Sequence, residues 1–148
     1  QLTEAGREII SGAAQRAYDL FEGHTYYVHN LLHHVFATVA PEKTVDENDI
    51  LVILDALLEE KSHAFAGQLS QLNYGQKETL VAIAKAGKAT GVTSVAFIKK
   101  NALKSPSSVQ YAIATLLDSQ ILTYEQEGRL KTYSLEDRFL EMWVRRVY

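Results

Sequence analysis

Between Asn73 and Leu135 the apolar side chains change spacing once, from three- and four-residue steps to alternation, and no other feature restricts the fold as much. Asn73 predicts the cap of a helix carrying Leu80, Ile83 and Ala84. That helix should end near Gly87, because glycine accepts the left-handed conformation of a helix end. Thr93 predicts the cap of a short helix over Ser94–Asn101. Ser105-Pro106 supplies an N-cap followed by proline at the first helical position, where a missing amide leaves no helical bond unmade. Val109, Ile113, Leu116 and Leu117 then form the inner face of a helix ending near Ser119. Ile121 to Glu125 reads as a strand, Glu127-Gly128 as a turn, and Leu130 to Leu135 as the returning strand. Three helices followed by a hairpin is the winged helix-turn-helix order. A last amphipathic helix carries Phe139, Leu140, Trp143, Val144 and Val147.

The first part of the chain reads differently. Ile10, Ala13, Ala14, Ala17, Leu20 and Phe21 share one face of a helix expected from about Thr3 to Phe21, with Gly23 ending it. Val28, Leu31, Leu32, Val35, Phe36 and Val39 predict a second helix that stops before Pro41. Thr44-Val-Asp-Glu47 reads as a capping box opening a third, whose core face holds Ile50, Ile53, Leu54, Leu57, Leu58 and Phe65. Together these predict a small antiparallel three-helix bundle with no strand before residue 90.

The charges divide in the same way. Residues 1–70 hold four basic against eleven acidic side chains, −7, whereas residues 71–148 hold eleven against seven, +4. All five histidines lie in the first part. The whole chain, 148 residues with a formal charge of −3, is neither a histone-like polycation nor an acidic tail. Without cysteine it has no disulfide scaffold, no thiol nucleophile and no common structural zinc site, and a cytoplasmic setting is expected. Gln1 in place of Met, with no charged-then-apolar leader, reads as an excised fragment.

Four segments in order carry a resemblance: Gly23-His-Thr-Tyr-Tyr-Val-His-Asn30, the helix opening Thr-Val-Asp-Glu-Asn-Asp-Ile at Thr44, the winged-helix segment, and Tyr-Ser-Leu-Glu-Asp-Arg-Phe-Leu-Glu-Met-Trp over residues 133–143. They resemble the region C-terminal to the nucleotide-binding core in prokaryotic, archaeal-type AAA+ ATPases related to the STAND and origin-recognition branches. The resemblance spans nearly the whole chain. It implies a helical lid subdomain over residues 1–71 and a winged helix with a C-terminal helix over residues 72–148. It also implies that Gly23, His24, Thr25 and Tyr26 form the lid element facing the nucleotide. Thr25 and Arg138 each stand where that family usually has proline. The implied parent is an ATPase using ATP and Mg, with its N-terminal ATPase core as a partner of this part. The chain itself has neither a Walker A sequence nor the hydrophobic strand ending in an acidic pair, so it is expected not to hydrolyse ATP alone. Tyr74-Gly75-Gln76-Lys77, the nearest approach, reads as a helix start.

Other constellations have plainer explanations. His29 and His33 stand one helical turn apart beside His34, with His24 upstream, but no third ligand or zincin glutamate accompanies them. Asp46, Glu47 and Asp49 suit helix capping better than a calcium loop lacking its glycine. Adjacent Glu59 and Glu60 point to different helix faces, and Tyr26 and Tyr27 suit packing at a helix start as well as stacking on a base.

The winged helix carries the candidate contacts to double-stranded DNA. Ser107, Ser108, Gln110, Tyr111 and Ala114 lie away from the apolar face of the expected recognition helix. Gln110 suits an adenine edge, and Ser108 a phosphate or base edge. Lys99, Lys100 and Lys104 before the helix, with Arg129 and Lys131 in the wing, suit phosphates. Asp118, Glu125 and Glu127 oppose this. The alternative for the module is packing on the ATPase core or a protein partner. The alternative for the whole chain is a winged-helix transcriptional regulator with an N-terminal helical dimerisation or effector unit.

Overall fold

The computed structural model describes residues 3–4 and 7–148, with side chains from residue 9 onward. It is mainly helical, with seven helices among the described residues and a hairpin before the last. It divides into two compact units, Gln1–Ser62 and His63–Tyr148.

In the first unit, β1 (Thr3–Glu4) pairs antiparallel with β2 (Arg7–Glu8), and α1 (Ser11–Leu20) packs on α2 (Thr25–Thr38). The helix expected from Thr3 therefore starts eight residues later, and strands do precede residue 90; the Ala5-Gly6 part of that expectation lies outside the described residues. The cause is a competing backbone partner. Ile9 forms a parallel bridge with Val45, and the Ile10 amide donates to the Val45 carbonyl at 3.2 Å, which holds Ile10 extended. Ile9 is consequently buried, whereas Ile10, expected on the inner face, is exposed. The second helix ends as expected, with Val39 extended two residues before Pro41.

The third helix, α3 (Glu47–Ser70), opens on a capping box displaced from the expected one. The Asp49 amide donates to Asp46 Oδ1 at 2.9 Å and the Asp46 amide to Asp49 Oδ2 at 3.1 Å, so the pair is Asp46/Asp49 rather than Thr44/Glu47. Val45 is held by Ile9 and Ile10, and this keeps Thr44 two residues too early to cap. Lys43 Nζ bonds to Asp49, and its ammonium holds the Asp49 carboxyl below the usual range. The described core here includes Phe21, Leu31, Val35, Val45 and Ile50.

The second unit begins within α3, where Phe65 and Leu69 are buried and the Phe65 ring lies 5.7 Å from that of Trp143. Asn73 caps α4 (Tyr74–Ala86) in a full capping box with Gln76, at 2.9 and 3.0 Å. Gly87 ends α4, in a geometry different from the expected one. Its φ of 73° and ψ of −66°, with the Lys88 amide donating to the Ala86 carbonyl at 2.9 Å, make a γ-turn, a conformation strained for any side chain. The turn delivers Ala89 to the wing, where it exchanges two 2.8 Å bonds with Tyr133.

The remaining elements are α5 (Val95–Lys100), α6 (Pro106–Asp118), β3 (Leu122–Glu127), β4 (Leu130–Leu135) and α7 (Arg138–Val147). Ser94 rather than Thr93 caps α5, its Oγ accepting from the Phe97 amide at 3.2 Å. Register in the wing runs from Leu122 opposite Leu135 to Glu127 opposite Leu130. The tip is Gly128-Arg129, one residue later than the expected Glu127-Gly128, because Glu127 pairs with Leu130 and Gly128, at φ 58°, takes the first central position of a tight hairpin. Helix, bridging residue, two helices and hairpin make the winged helix-turn-helix. α4 packs against α6, α7 and β4.

Glu141 of α7 is 5% exposed, and it is held by Arg138 at 3.0 Å and Arg145 at 2.8 Å. Arg145 Nε also donates to the Ala84 carbonyl at the end of α4, at 2.6 Å. A Cβ at Gly87 would be strained by its φ and would lie 2.5 Å from Arg145 Nη2, displacing the guanidinium. Gly87→Ala is expected to destabilise the chain by about 2 kcal/mol or more, read by thermal unfolding. Gly75→Ala, whose Cβ meets only ordinary contact in α4, should stabilise by about 0.5–1 kcal/mol.

Candidate nucleic-acid interface

The turn between α5 and α6 is built by side-chain bonds to the main chain. Asn101 Nδ2 donates to the Phe97 carbonyl at 2.9 Å, Ala102 takes a φ of 52°, and the Leu103 amide returns to the Ile98 carbonyl at 3.0 Å. Leu103 is thereby buried and Lys104 exposed. Ser105 then caps α6, with Pro106 at its first position as the sequence predicts.

The cap settles which α6 hydroxyls remain open. The Ser108 amide donates to Ser105 Oγ and the Ser105 amide to Ser108 Oγ, both at 3.2 Å, while Ser108 Oγ donates to the Ser105 carbonyl at 2.9 Å. Ser108 is half-buried and engaged by the helix start. Ser107 is exposed, with its Oγ 3.2 Å from Ser105 Oγ. Val109, Ala112, Ile113 and Leu116 face the core. Gln110 and Ala114 are exposed beside Ser107, and Tyr111 is 70% exposed.

Lys99 and Lys100 close α5, both exposed. Lys104, Ser105, Ser107, Ser108 and Tyr111 line a groove of about 770 Å³ together with Asn73, Tyr74, Gly75 and Gln76 at the start of α4. Lys100 instead lines a neighbouring groove of about 740 Å³ with Tyr74, Lys77, Phe97 and Tyr148, in which Lys77 Nζ lies 4.7 Å from the Tyr148 ring centre. Sequence reasoning missed the contribution of α4. The Asn73/Gln76 capping box was its only signal, and nothing local places that helix start beside the start of α6.

In the wing, register separates the charges. Opposed residues of an antiparallel pair share a face, so Tyr124, Gln126, Lys131 and Tyr133 lie on the side of buried Leu122 and Leu135. Lys131 Nζ sits 4.6 Å from the Tyr124 ring centre. Glu125 and Glu127 lie on the other face with Leu130, and Arg129 is exposed at the tip.

The residues of the expected nucleotide-facing element sit in the first unit. Glu22 and Gly23 have φ of 49° and 76°, and Tyr18 approaches Gly23 closely enough that a Cβ would lie 2.6 Å from its Oη. His24 precedes the first residue of α2, Thr25, without a side-chain cap bond, and both are exposed. Tyr26 is 70% exposed, whereas the Tyr27 ring stacks 5.6 Å from Phe21. His33 and His34 lie ring to ring at 6.0 Å, and His34 Nδ1 is 2.9 Å from the Asn30 carbonyl. Among the described residues no helix is long and apolar enough to cross a membrane, and no group of three His, Asp or Glu is placed to hold a metal ion.

A family model described as "Probable winged helix domain" matches residues 63–146. No curated protein and no solved structure matches the chain.

Loss of the α6 cap and loss of an open hydroxyl should separate. Ser105→Ala is expected to lower the unfolding free energy by about 1 kcal/mol. Ser107→Ala should change it by less than about 0.5 kcal/mol, measured in the same denaturant titration.

Proposed function

Because the chain belongs to the winged helix domain family, we propose that its second unit binds duplex DNA, with α6 in the major groove. One observation carries this reading. Between Glu78 and Asp118 the chain has no carboxylate side chain but five lysines, and α6 with its exposed Ser107, Gln110 and Tyr111 lies in that stretch. Lys99, Lys100 and Lys104 would take phosphates and release counterions, and Gln110 would take an adenine edge. Arg129 at the wing tip would reach the backbone beside the groove. Glu125 and Glu127 share one face of the wing, and Lys131 stands on the other, which leaves a face of the hairpin free of carboxylates.

For the parent we propose an AAA+ ATPase, supported by the resemblance of residues 23–30 and 133–143. In it the first unit, with Gly23, His24, Thr25 and Tyr26 toward the nucleotide, transmits nucleotide state to the winged helix. ATP, Mg and the ATPase core complete that arrangement in the cytoplasm, and the chain itself performs no catalysis.

A fluorescence titration of the chain against a labelled duplex at two salt concentrations tests the DNA reading. Binding at micromolar concentrations that weakens with salt is expected. Replacing Lys99, Lys100 and Lys104 by Ala should weaken it to the same degree for different duplex sequences and reduce the log–log salt slope by about 0.9 per lost phosphate contact. Absence of salt-dependent binding in this range contradicts the reading.

A further inference from the structure

We infer that the free edge of β3 docks an extended, cationic segment of a partner protein, which pairs with the main chain of Tyr124 and Gln126 and meets Glu125 and Glu127. The edge follows from the bonding of Tyr133. Its amide and carbonyl are both engaged by Ala89, at 2.8 Å each, so they point away from β3. Tyr133 stands opposite Tyr124, which makes this a non-bonded pair of the antiparallel ladder. The alternation of such a ladder then turns the N–H and C=O of Tyr124 and Gln126 outward, while Thr123, Glu125 and Glu127 bond to β4. The Glu136 amide bonding to the Ile121 carbonyl at 3.0 Å continues the same odd-numbered series.

This edge is open. Tyr124 is 43% exposed, Glu125, Gln126 and Glu127 are exposed, and the Gln126 amide side chain turns back to the Gly128 carbonyl at 2.9 Å. An unpaired edge of this length is a template for strand addition, and side chains at alternate positions select the partner.

Charge decides the occupant. In a second copy, the twofold register that engages both outward residues sets Tyr124 against Gln126 and therefore Glu125 against Glu125. Slipping to Gln126 against Gln126 sets Glu125 against Glu127. Like charges directly opposed destabilise a strand pair, whereas opposite charges contribute up to about 1 kcal/mol per pair. A segment with Lys or Arg at every second position satisfies both glutamates. The residues between them fall on the Tyr124 side and suit apolar contact with its ring. None of the α6 residues takes part, so this docking stands or falls separately from DNA binding.

Amide hydrogen exchange followed by NMR on the full 148-residue chain tests this, using a heptapeptide of alternating lysine and valine and its glutamate–valine counterpart as probes. Without peptide, Tyr124 and Gln126 amides should exchange faster than those of Thr123 and Glu125 by about tenfold or more, in keeping with unpaired edge groups. The lysine peptide should slow those two amides, and the glutamate peptide should not. The double variant Glu125→Lys, Glu127→Lys should bind the lysine peptide about tenfold more weakly and accept the glutamate peptide instead. The inference is overturned if the lysine peptide protects no β3 amide, or if charge reversal leaves its affinity unchanged. It is equally overturned if the chain alone protects Tyr124 and Gln126 by self-association.

Discussion

Glu141 is the group on which the arrangement of the second unit depends. Its carboxylate is buried between Arg138 and Arg145, and Arg145 carries the connection on to the Ala84 carbonyl. That carbonyl is among the last of α4 and accepts from the Gly87 amide at 3.2 Å, so one guanidinium both neutralises a buried charge and adds a second bond at a helix end. The space for it exists because residue 87 has no side chain. Replacing a buried ion pair with apolar groups is often neutral for stability, whereas removing one member alone leaves an uncompensated charge. What this cluster contributes is therefore chiefly position: it fixes where α7 crosses the end of α4.

Position at that end propagates to the wing and to α6 through backbone bonds and packing. The γ-turn at Gly87 sends Ala89 against Tyr133, which sets the edge of β4 and, by alternation, which β3 groups face outward. On its other side α4 supports α6, whose apolar face is filled by Val109, Ala112, Ile113 and Leu116. The same helix thus anchors the clamp, the wing and α6. Exposed Gln110 and Tyr111 are rigidly presented because the opposite face of their helix is fully packed and its start is doubly capped.

Wherever a signal was local, it could be read from the residues alone. Ser105-Pro106, Asn73 and the stop at Gly87 each involve groups a few residues apart, and the structure places all three at the expected boundaries. The misreadings in the first unit have a common cause, a partner distant in sequence. Val45 captured Ile9 and Ile10, which delayed α1 and moved the α3 capping box from Thr44 to Asp46. Thr93 and Ser94 are equally good caps by type, and only the Ser94 amide bonding to the Gly91 carbonyl, at 2.8 Å, shows where the loop closes. The candidate lysines were identifiable by their spacing around the helix-turn-helix. That Lys100 and Lys104 line different grooves was not, because it depends on where α4 begins relative to α6. Arg138 was read as a departure from a proline pattern, and in the structure it holds a buried carboxylate.

We propose that the face of α6 turned away from Ile113 and Leu116 meets duplex DNA. Backbone amide shifts recorded while a short duplex is added to the isotope-labelled chain test it most directly. Shifts concentrated at Ser107, Gln110, Tyr111, Lys104 and Arg129, with α7 unmoved, are expected. Shifts confined to the groove of Lys77, Phe97 and Tyr148, or none at saturating duplex, would contradict it.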